Sequence, residues 1–213
     1  MRSPINLALL IIPVLFSQCG INRQVQQAKG LSKSRYAVRS ADSITIAGYD
    51  IQAFKDIRQL EDVNPLKYPA VAAGLLRKDI PFKANINLEI VNPTSDTAAI
   101  NQFDYRLLLA GNELATGTVE RRVAVPPGGG KALVSIPVNA NAYGLIANSG
   151  TRKAFIDLIG NLAGSKQTEP SRITLKIKPT LMLGNKSVQY PGYIDIDKEV
   201  TRDLLLAPRT PNP

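Results

Sequence analysis

The sequence predicts a single antiparallel β-sandwich, and three observations lead to this fold class. Apolar and polar residues alternate strictly through residues 82–90, as in a strand with one buried face. A second alternating stretch, 103–109, runs into Gly111-Asn112, a dipeptide that suits the positive φ angles of a tight hairpin. Strands follow one another without the strand–helix alternation of a parallel sheet. We therefore expect about seven short strands in a sandwich resembling fibronectin type III or immunoglobulin domains, with one or two short helices at one end.

The elements before the first alternating strand are predicted from weaker signals. Residues 44–53 predict one or two strands with a bend at Gly48. Residues 70–78, between Pro69 and Pro81, favour a short helix, because proline is tolerated in the first turn and interrupts a helix elsewhere.

The elements after the hairpin follow from turn signals and periodicity. A return strand is expected from about Glu113 to Val125, a further strand at 131–138 and a turn of helix at 141–147. Thr151 suits a helix N-cap, and apolar residues at three- and four-residue spacing follow it as far as Gly164. A strand at 173–177 is expected to end at Pro179 and to pair with residues 181–190.

The composition excludes several classes of enzyme. The chain has no histidine and one cysteine, Cys19. Ser-His-Asp and Cys-His nucleophiles therefore cannot form, and neither can zinc or iron–sulfur sites built on cysteine. Carboxylate pairs, lysine and tyrosine remain available, but they form no visible set of nucleophile and base. We expect a protein that is not an enzyme and carries no cofactor and no metal.

The N-terminus has the plan of a bacterial lipoprotein signal. Arg2 precedes an apolar run at 5–16, and Cys19 follows it after small or polar residues. Residues 15–19 resemble a lipobox, although Phe16 and Gln18 depart from its usual pattern. A signal cut elsewhere and an uncut anchor are the alternatives, but the run is shorter than the roughly 20 apolar residues that span a bilayer. Gly20 after the cysteine resembles the pattern of outer-membrane lipoproteins, so we expect the cell envelope as the location.

With this N-terminal signal, the chain is predicted to have four parts. They are a signal peptide at 1–18, a basic flexible tether at 19–34, the sandwich domain at 35–198 and a C-terminal tail at 199–213. The net charge is +9, and the tether carries basic residues without acidic ones up to Arg39. The excess charge is expected mainly to keep the domain soluble. The alternative, which the basic tether beside a lipid anchor supports, is an anionic lipid or polysaccharide surface as partner. For an exported chain such a surface is favoured over nucleic acid.

Three polar motifs are predicted to be structural. Residues 126–131 resemble a phosphate loop, but Ala132 stands where that motif has serine or threonine, so a turn between strands is expected. Asp195, Asp197 and Glu199 lack the glycine and final glutamate of a calcium loop and are expected on the solvent face of a last strand. The pair Arg121-Arg122 is expected on the solvated face of a strand.

The core of the chain resembles a known family. The residues that carry the resemblance are the strand 84–91 running into Asn92-Pro93, the hairpin 103–117 with its tyrosine, aliphatics and glycine, and the segments 125–128 and 134–138. Together they resemble the late-embryogenesis-abundant type 2 family, also called the water-stress and hypersensitive-response domain. The resemblance implies one β-sandwich with a helix covering one end and a role in desiccation or osmotic stress. The segment 62–78 is longer than the family's usual connection.

Asn92 and Pro93 have a physical reason to stand together. Proline cannot donate to a sheet ladder and forces the preceding residue to be extended, so the strand ends there. The Asn92 side chain is then expected to bond a nearby backbone amide and hold the corner.

Two functions are consistent with the sequence. The first is a membrane-anchored, non-catalytic envelope module that binds or protects a protein, glycan or lipid, with the membrane lipid itself bound through an acylated Cys19. The alternative is a periplasmic carrier that holds a lipid or another apolar small molecule between its sheets, which requires a cavity.

The lipoprotein prediction is tested at Cys19, the only cysteine. A Cys19→Ser variant should lose incorporation of labelled fatty acid and be released from membranes, because the serine hydroxyl cannot replace the thiol that is acylated. Undiminished labelling of the variant would overturn the prediction.

Overall fold

The computed structural model describes residues 26–27, 29–165, 168–183 and 186–201. Within these residues the chain forms eleven strands: β1 Arg35–Ile46, β2 Tyr49–Asp50, β3 Pro81–Asn92, β4 Ala98–Ile100, β5 Gln102–Leu109, β6 Asn112–Val119, β7 Val123–Val125, β8 Gly130–Asn141, β9 Ser171–Leu183, β10 Lys186–Gln189 and β11 Ile194–Val200. Helices α1 Pro69–Arg77, α2 Tyr143–Ala147 and α3 Ser149–Ala163 lie between strands, with 3-10 turns at Ile51–Phe54 and Leu60–Asp62.

The predicted antiparallel β-sandwich is confirmed. One sheet has the order β2-β1-β3-β8, and the other has the order β9-β5-β6 with β10 and β11 both paired to β9. The short strands β4 and β7 pair with each other. Every strand pair is antiparallel. The sheets meet along both sides, where β1 contacts β11 and β6 contacts β8.

The strand registers give the sandwich two distinct ends. Arg35 pairs with Val91, and Asn92 pairs with Gly130, so the start of β1, the end of β3 and the start of β8 lie together at what we call the N-terminal end. At the opposite end, Pro81 pairs with Asn141, and α1, α2 and α3 all connect strands there. We call it the helical end. The 12 residues of β3 separate the ends by about 40 Å at roughly 3.3 Å per residue.

The space between the sheets is filled by side chains. The residues that are 0% exposed include Leu88, Ile90, Val134 and Ile136 from one sheet and Phe103, Leu175 and Ile177 from the other. A water-sized void beside these side chains would give them accessible surface, so the centre of the core is close-packed.

One hydrogen bond ties the two sheets together through a tyrosine. The Tyr105 hydroxyl donates to the Pro137 carbonyl at 2.6 Å, and burial raises the pKa of that hydroxyl. Pro137 lies on β8, an edge strand, where the missing N–H of proline is tolerated. Gly117 makes room for the ring, because a Cβ there would lie 2.7 Å from the Tyr105 hydroxyl.

The Asn92 side chain holds the corner at the end of β3, as the sequence predicted. It is fully buried and accepts from the Thr94 amide at 3.1 Å. Its amide group donates to the Asp96 carbonyl at 2.7 Å and to the Val125 carbonyl at 3.2 Å. Its own backbone carbonyl accepts from Gly129 at 2.7 Å. The residue thereby joins β3, the loop after it, β7 and the glycine turn.

The return strand of the hairpin differs from the prediction. The expected strand from Glu113 to Val125 is broken into β6 and β7, and β7 leaves the sheet to pair with β4. The hairpin turn is centred on Ala110 and Gly111, which have φ of 47° and 81°, rather than on Gly111-Asn112. A tight turn of this kind needs positive φ at both central residues, and the register Leu109–Asn112 places it one residue earlier.

Pro179 does not end its strand. β9 continues to residue 183, and the Pro179 carbonyl accepts from the Tyr190 amide at 2.8 Å. In a strand the N and the carbonyl of one residue face the same side, so the missing N–H points toward β10 and β11. On that side of β9, residues 171–177 pair with β11 and residues 180–183 pair with β10. The proline therefore falls in a gap between two ladders.

The sequence predicted that the domain starts at residue 35, but packed residues are found before that position. Residues 29–33 are helical, Leu31 is 1% exposed, and its carbonyl accepts from the Tyr36 hydroxyl at 2.9 Å. Burial raises the pKa of Tyr36. Part of the expected tether therefore packs on the sandwich, because the Leu31 side chain belongs to the core. The sequence did not predict this, since Leu31 is surrounded by polar residues and has no apolar periodicity around it. At the other boundary, Val200 is 0% exposed, so the last strand passes the predicted boundary at 198.

The predicted helices are found with small shifts. The helices predicted at 70–78 and 141–147 are found as α1 Pro69–Arg77 and α2 Tyr143–Ala147. Helix α3 is capped by Asn148, whose side chain accepts from the Gly150 amide at 2.8 Å, so the N-cap is three residues before the predicted Thr151. Thr151 donates to the Leu145 carbonyl at 2.8 Å instead and joins α2 to α3. Residues 51–54, expected to be extended, form a 3-10 turn.

The Asn92 corner predicts a large loss of stability on substitution. Asn92→Ala should lower the free energy of unfolding by about 2–3 kcal/mol, because it leaves buried backbone groups without partners. The matched control is Asn112→Ala, an exposed asparagine whose removal should cost under about 0.5 kcal/mol. Urea denaturation of both variants measures the difference, and equal losses would contradict the role of the corner.

Candidate binding surface at the helical end

The residue predicted to be functional lies outside the part of the chain that the structure describes. Cys19, the signal peptide 1–18 and residues 202–213 of the predicted tail all lie outside the described ranges. None of the helices in the described ranges is long and apolar enough to cross a bilayer.

The glycine-rich segment is a turn, as predicted. Gly128 and Gly129 have φ of 68° and 87°, a conformation that favours glycine. The Gly128 amide donates to the Thr94 carbonyl and the Gly129 amide to the Asn92 carbonyl, both at 2.7 Å. Lys131 then lies in β8 and is 3.7 Å from Glu89. The amides of this loop are used to hold the corner.

The acidic residues near the C-terminus lie on the outer face of β11, as predicted. Asp195 accepts from Lys176 and Asp197 accepts from the Thr174 hydroxyl, each at 2.6 Å. Within the described ranges, no group of three or more acidic residues is placed to hold a metal ion. These carboxylates pair across strands of their own sheet.

Arg121 and Arg122 are exposed, but not on a strand. They lie in the turn between β6 and β7, because the predicted return strand breaks at Val119. Their position at the N-terminal end of the sandwich is a consequence of this break.

An aromatic cluster builds the helical end. The Phe54 and Tyr68 rings stack at 5.1 Å between centroids, and Tyr49 meets Tyr68 edge-on at 5.6 Å. The Tyr68 hydroxyl donates to the Ala53 carbonyl at 2.6 Å. Offset-stacked and edge-on arrangements are the preferred geometries of aromatic pairs. The cluster fixes the segment 51–80 against the sandwich.

An apolar pocket lies between this segment and helix α3. Its volume is about 50 Å³, well below the roughly 300–1,000 Å³ of sites for small-molecule ligands. The side chains that line it are all hydrophobic: Ile46, Phe54, Ile57, Leu60, Val63, Val71, Ile146, Phe155, Ile156 and Ile159. A pocket of this size and chemistry suits the end of one aliphatic side chain from a partner.

Two exposed leucines lie on the same segment. Leu66 is 94% exposed and Leu76 is 87% exposed, whereas Val71 on α1 is 4% exposed. Leu66 is held by a turn in which the Asn64 side chain accepts from its amide at 2.8 Å. Helix α1 turns Val71 toward the core and Leu76 toward solvent. Both leucines are presented on ordered backbone.

The charges around this surface are balanced. Among the described residues, the segments 47–80 and 142–170 carry seven basic and seven acidic side chains. Lys153 donates to Asp157 at 2.8 Å and to Glu169 at 2.9 Å. Hydrogen bonds to these carboxylates raise the pKa of Lys153 to about 12. The helical end therefore offers apolar contact without a strong field of either sign.

The sequence did not reveal this surface. The segment 62–78 stood out only as longer than the usual connection of the family that the core resembles. The pocket is formed by side chains from β1, α1, α2, α3 and both 3-10 turns, so no local pattern could indicate it.

No family model and no curated protein matches the chain. Similar solved structures include a crystal structure of a protein from Archaeoglobus fulgidus (17% identity, 57% of this chain and 85% of that chain, TM-score 0.33). A solution structure of a protein from Arabidopsis thaliana shares 18% identity over 58% of this chain and 70% of that chain, with a TM-score of 0.37.

A solution structure of a putative late embryogenesis abundant protein also matches. It shares 16% identity over 87% of this chain and 85% of that chain, with a TM-score of 0.32. The name is that of the family which the core of the sequence resembles. All three TM-scores are below 0.5, and similarity at this level does not establish a shared function.

The exposed leucines should be dispensable for folding. Leu66→Ser with Leu76→Ser should change the free energy of unfolding by under about 0.5 kcal/mol, as substitutions on an exposed surface do. Val71→Ser, on the buried side of α1, should cost about 1–3 kcal/mol by losing apolar burial and burying a hydroxyl. Urea denaturation compares them. A double variant as unstable as Val71→Ser would mean that the leucines pack against the domain and are not available for binding.

Proposed function

We propose that this protein is a membrane-anchored, non-catalytic module of the cell envelope whose helical end binds an apolar surface of a partner protein. The anchor is the acylated Cys19. The sandwich holds the helical end away from the membrane.

The observation that carries the proposal is the position of the apolar surface. Leu66, Leu76 and the 50 Å³ pocket lie at the helical end, about 40 Å from the end at which the chain enters the sandwich. Two large aliphatic side chains of one segment, Leu66 and Leu76, are 94% and 87% exposed, and apolar surface exposed at the same end of a domain as an apolar pocket supports an interaction there. The pocket at the same end has room for the end of one aliphatic side chain.

The carrier alternative receives no comparable support. It requires space for a lipid between the sheets, whereas the central side chains there, such as Leu88 and Leu175, are 0% exposed. A catalytic role has no supporting observation either, because the acidic residues and the lysines described above are paired with one another. The core resembles the late-embryogenesis-abundant type 2 family, and this resemblance adds a proposed role in desiccation or osmotic stress. That role is tested by measuring the survival of a deletion strain after drying.

Site-specific photocrosslinking in living cells tests the proposed binding surface. A photoreactive amino acid at position 66 or 76 of the full chain should give a crosslinked protein adduct. The same amino acid at Thr116, an exposed residue of β6, serves as the control and should not. Placing the probe at position 76 and adding Leu66→Ser should reduce the yield severalfold, since the second leucine is part of the same contact.

Two outcomes would contradict the proposal. One is the absence of any adduct at positions 66 and 76, and the other is an equal yield at Thr116. Crosslinking to lipid rather than protein at position 76 would reverse the assigned orientation.

A further inference from the structure

The N-terminal end of the sandwich carries an excess of positive charge. The turns and strand ends there hold seven exposed basic side chains: Lys29, Lys33, Arg35, Arg121, Arg122, Lys131 and Lys186. The acidic side chains in the same described segments are Asp96 and Glu120, and Glu89 on β3 lies 3.7 Å from Lys131. The helical end, with seven basic and seven acidic side chains, is balanced. The net positive charge of the described domain is therefore concentrated at one end.

A polar cleft opens among these charges. Its volume is about 290 Å³, and it is lined by Gln27, Ala99, Asn101, Arg122, Leu181 and Met182. This is close to the lower limit of the volumes of ligand sites. Pairing of Ile100 with Val123 places Asn101 and Arg122 side by side. The Asn101 amide donates to the Thr180 carbonyl at 3.1 Å, which fixes the loop against β9.

Arg122 is available to an anion. Within the described ranges its guanidinium has no hydrogen-bond or ion-pair partner, and the side chain is exposed. A guanidinium presents a planar fork of donors that matches the oxygens of a phosphate. The side-chain amides of Gln27 and Asn101 can donate to the same group.

Apolar side chains adjoin the cleft. Met182 is 40% exposed and Val188 is 41% exposed, and both lie at the N-terminal end, on β9 and β10. Cations beside partly exposed apolar side chains are typical of surfaces that contact the headgroup region of a membrane.

We propose that the N-terminal end of the sandwich docks on an anionic membrane, with a lipid phosphate headgroup in the cleft beside Arg122. The charge is spread over the whole end and is not confined to the cleft, which favours an extended anionic surface over a free phosphate ion. Each cation near such a surface contributes to binding, and the contributions add. The proposal deepens the proposed function by naming the surface that faces the membrane.

The test uses the full chain carrying Cys19→Ser, so that docking is measured without the acyl anchor and the two proposals can fail separately. Binding to vesicles of phosphatidylglycerol and phosphatidylcholine is measured by cosedimentation. We expect binding that rises with the phosphatidylglycerol fraction and falls with salt, because salt screens exposed charges. Arg121→Glu with Arg122→Glu should weaken it at least thirty-fold, about the loss for two cations at an anionic surface.

The control changes the net charge equally at the helical end. Lys55→Glu with Arg77→Glu, two exposed residues there, should leave vesicle binding within about twofold of the parent. Equal losses in the two double variants would show that only total charge matters and would overturn the proposal. Binding of inorganic phosphate in the millimolar range that displaces the protein from vesicles would also overturn it, in favour of a soluble anion.

A fluorescent label reports the orientation. Because Cys19 is the only cysteine, the Cys19→Ser background allows one labelled cysteine at a time. An environment-sensitive dye on Met182→Cys should shift to the blue on phosphatidylglycerol vesicles, and the same dye on Leu66→Cys should not. A shift at position 66 without one at 182 would mean that the helical end faces the membrane.

Discussion

The buried Asn92 side chain is the contact on which the N-terminal end of the molecule depends. Its bonds to the Asp96 and Val125 carbonyls orient the β4–β7 pair, which in turn places Asn101 beside Arg122 and forms the polar cleft. The same pair supports the helical residues that precede β1, since a Cβ on Gly30 would lie 3.1 Å from the Ala98 Cβ. A buried side-chain amide needs hydrogen-bond partners, and here each hydrogen bond of Asn92 fixes a different segment of the chain.

The sandwich separates two kinds of surface. Its N-terminal end is basic and has a polar cleft, while its helical end is electrically balanced and presents apolar side chains. The packed core and the Tyr105–Pro137 bond make the body between them rigid. The 12 residues of β3 set the two surfaces about 40 Å apart. This arrangement connects the two proposals, since docking of one end leaves the other exposed.

Prediction from sequence succeeded where the determinants were local. The alternation at 82–90 and 103–109 gave correct strands, because period two is a property of the chain itself. Asn92-Pro93 was correctly assigned to a corner, since proline acts on its neighbours through sterics. Prediction failed where the conformation of a residue depends on a pairing partner that is distant in the sequence. Pro179 is tolerated because β9 changes partners beside it, and residues 120–122 leave the strand because β7 pairs with β4.

By itself, then, the sequence determined the β-sandwich class, the main strands, the lack of histidine chemistry and the excess of positive charge. Only the tertiary structure decided where that charge lies, that Leu31 belongs to the core, and that Leu66, Leu76 and an apolar pocket share one end. The physical reason is that periodicity and turn chemistry act over a few residues, whereas a surface is assembled by strand register. Register joins residues such as Ile100 and Val123 that no local pattern relates.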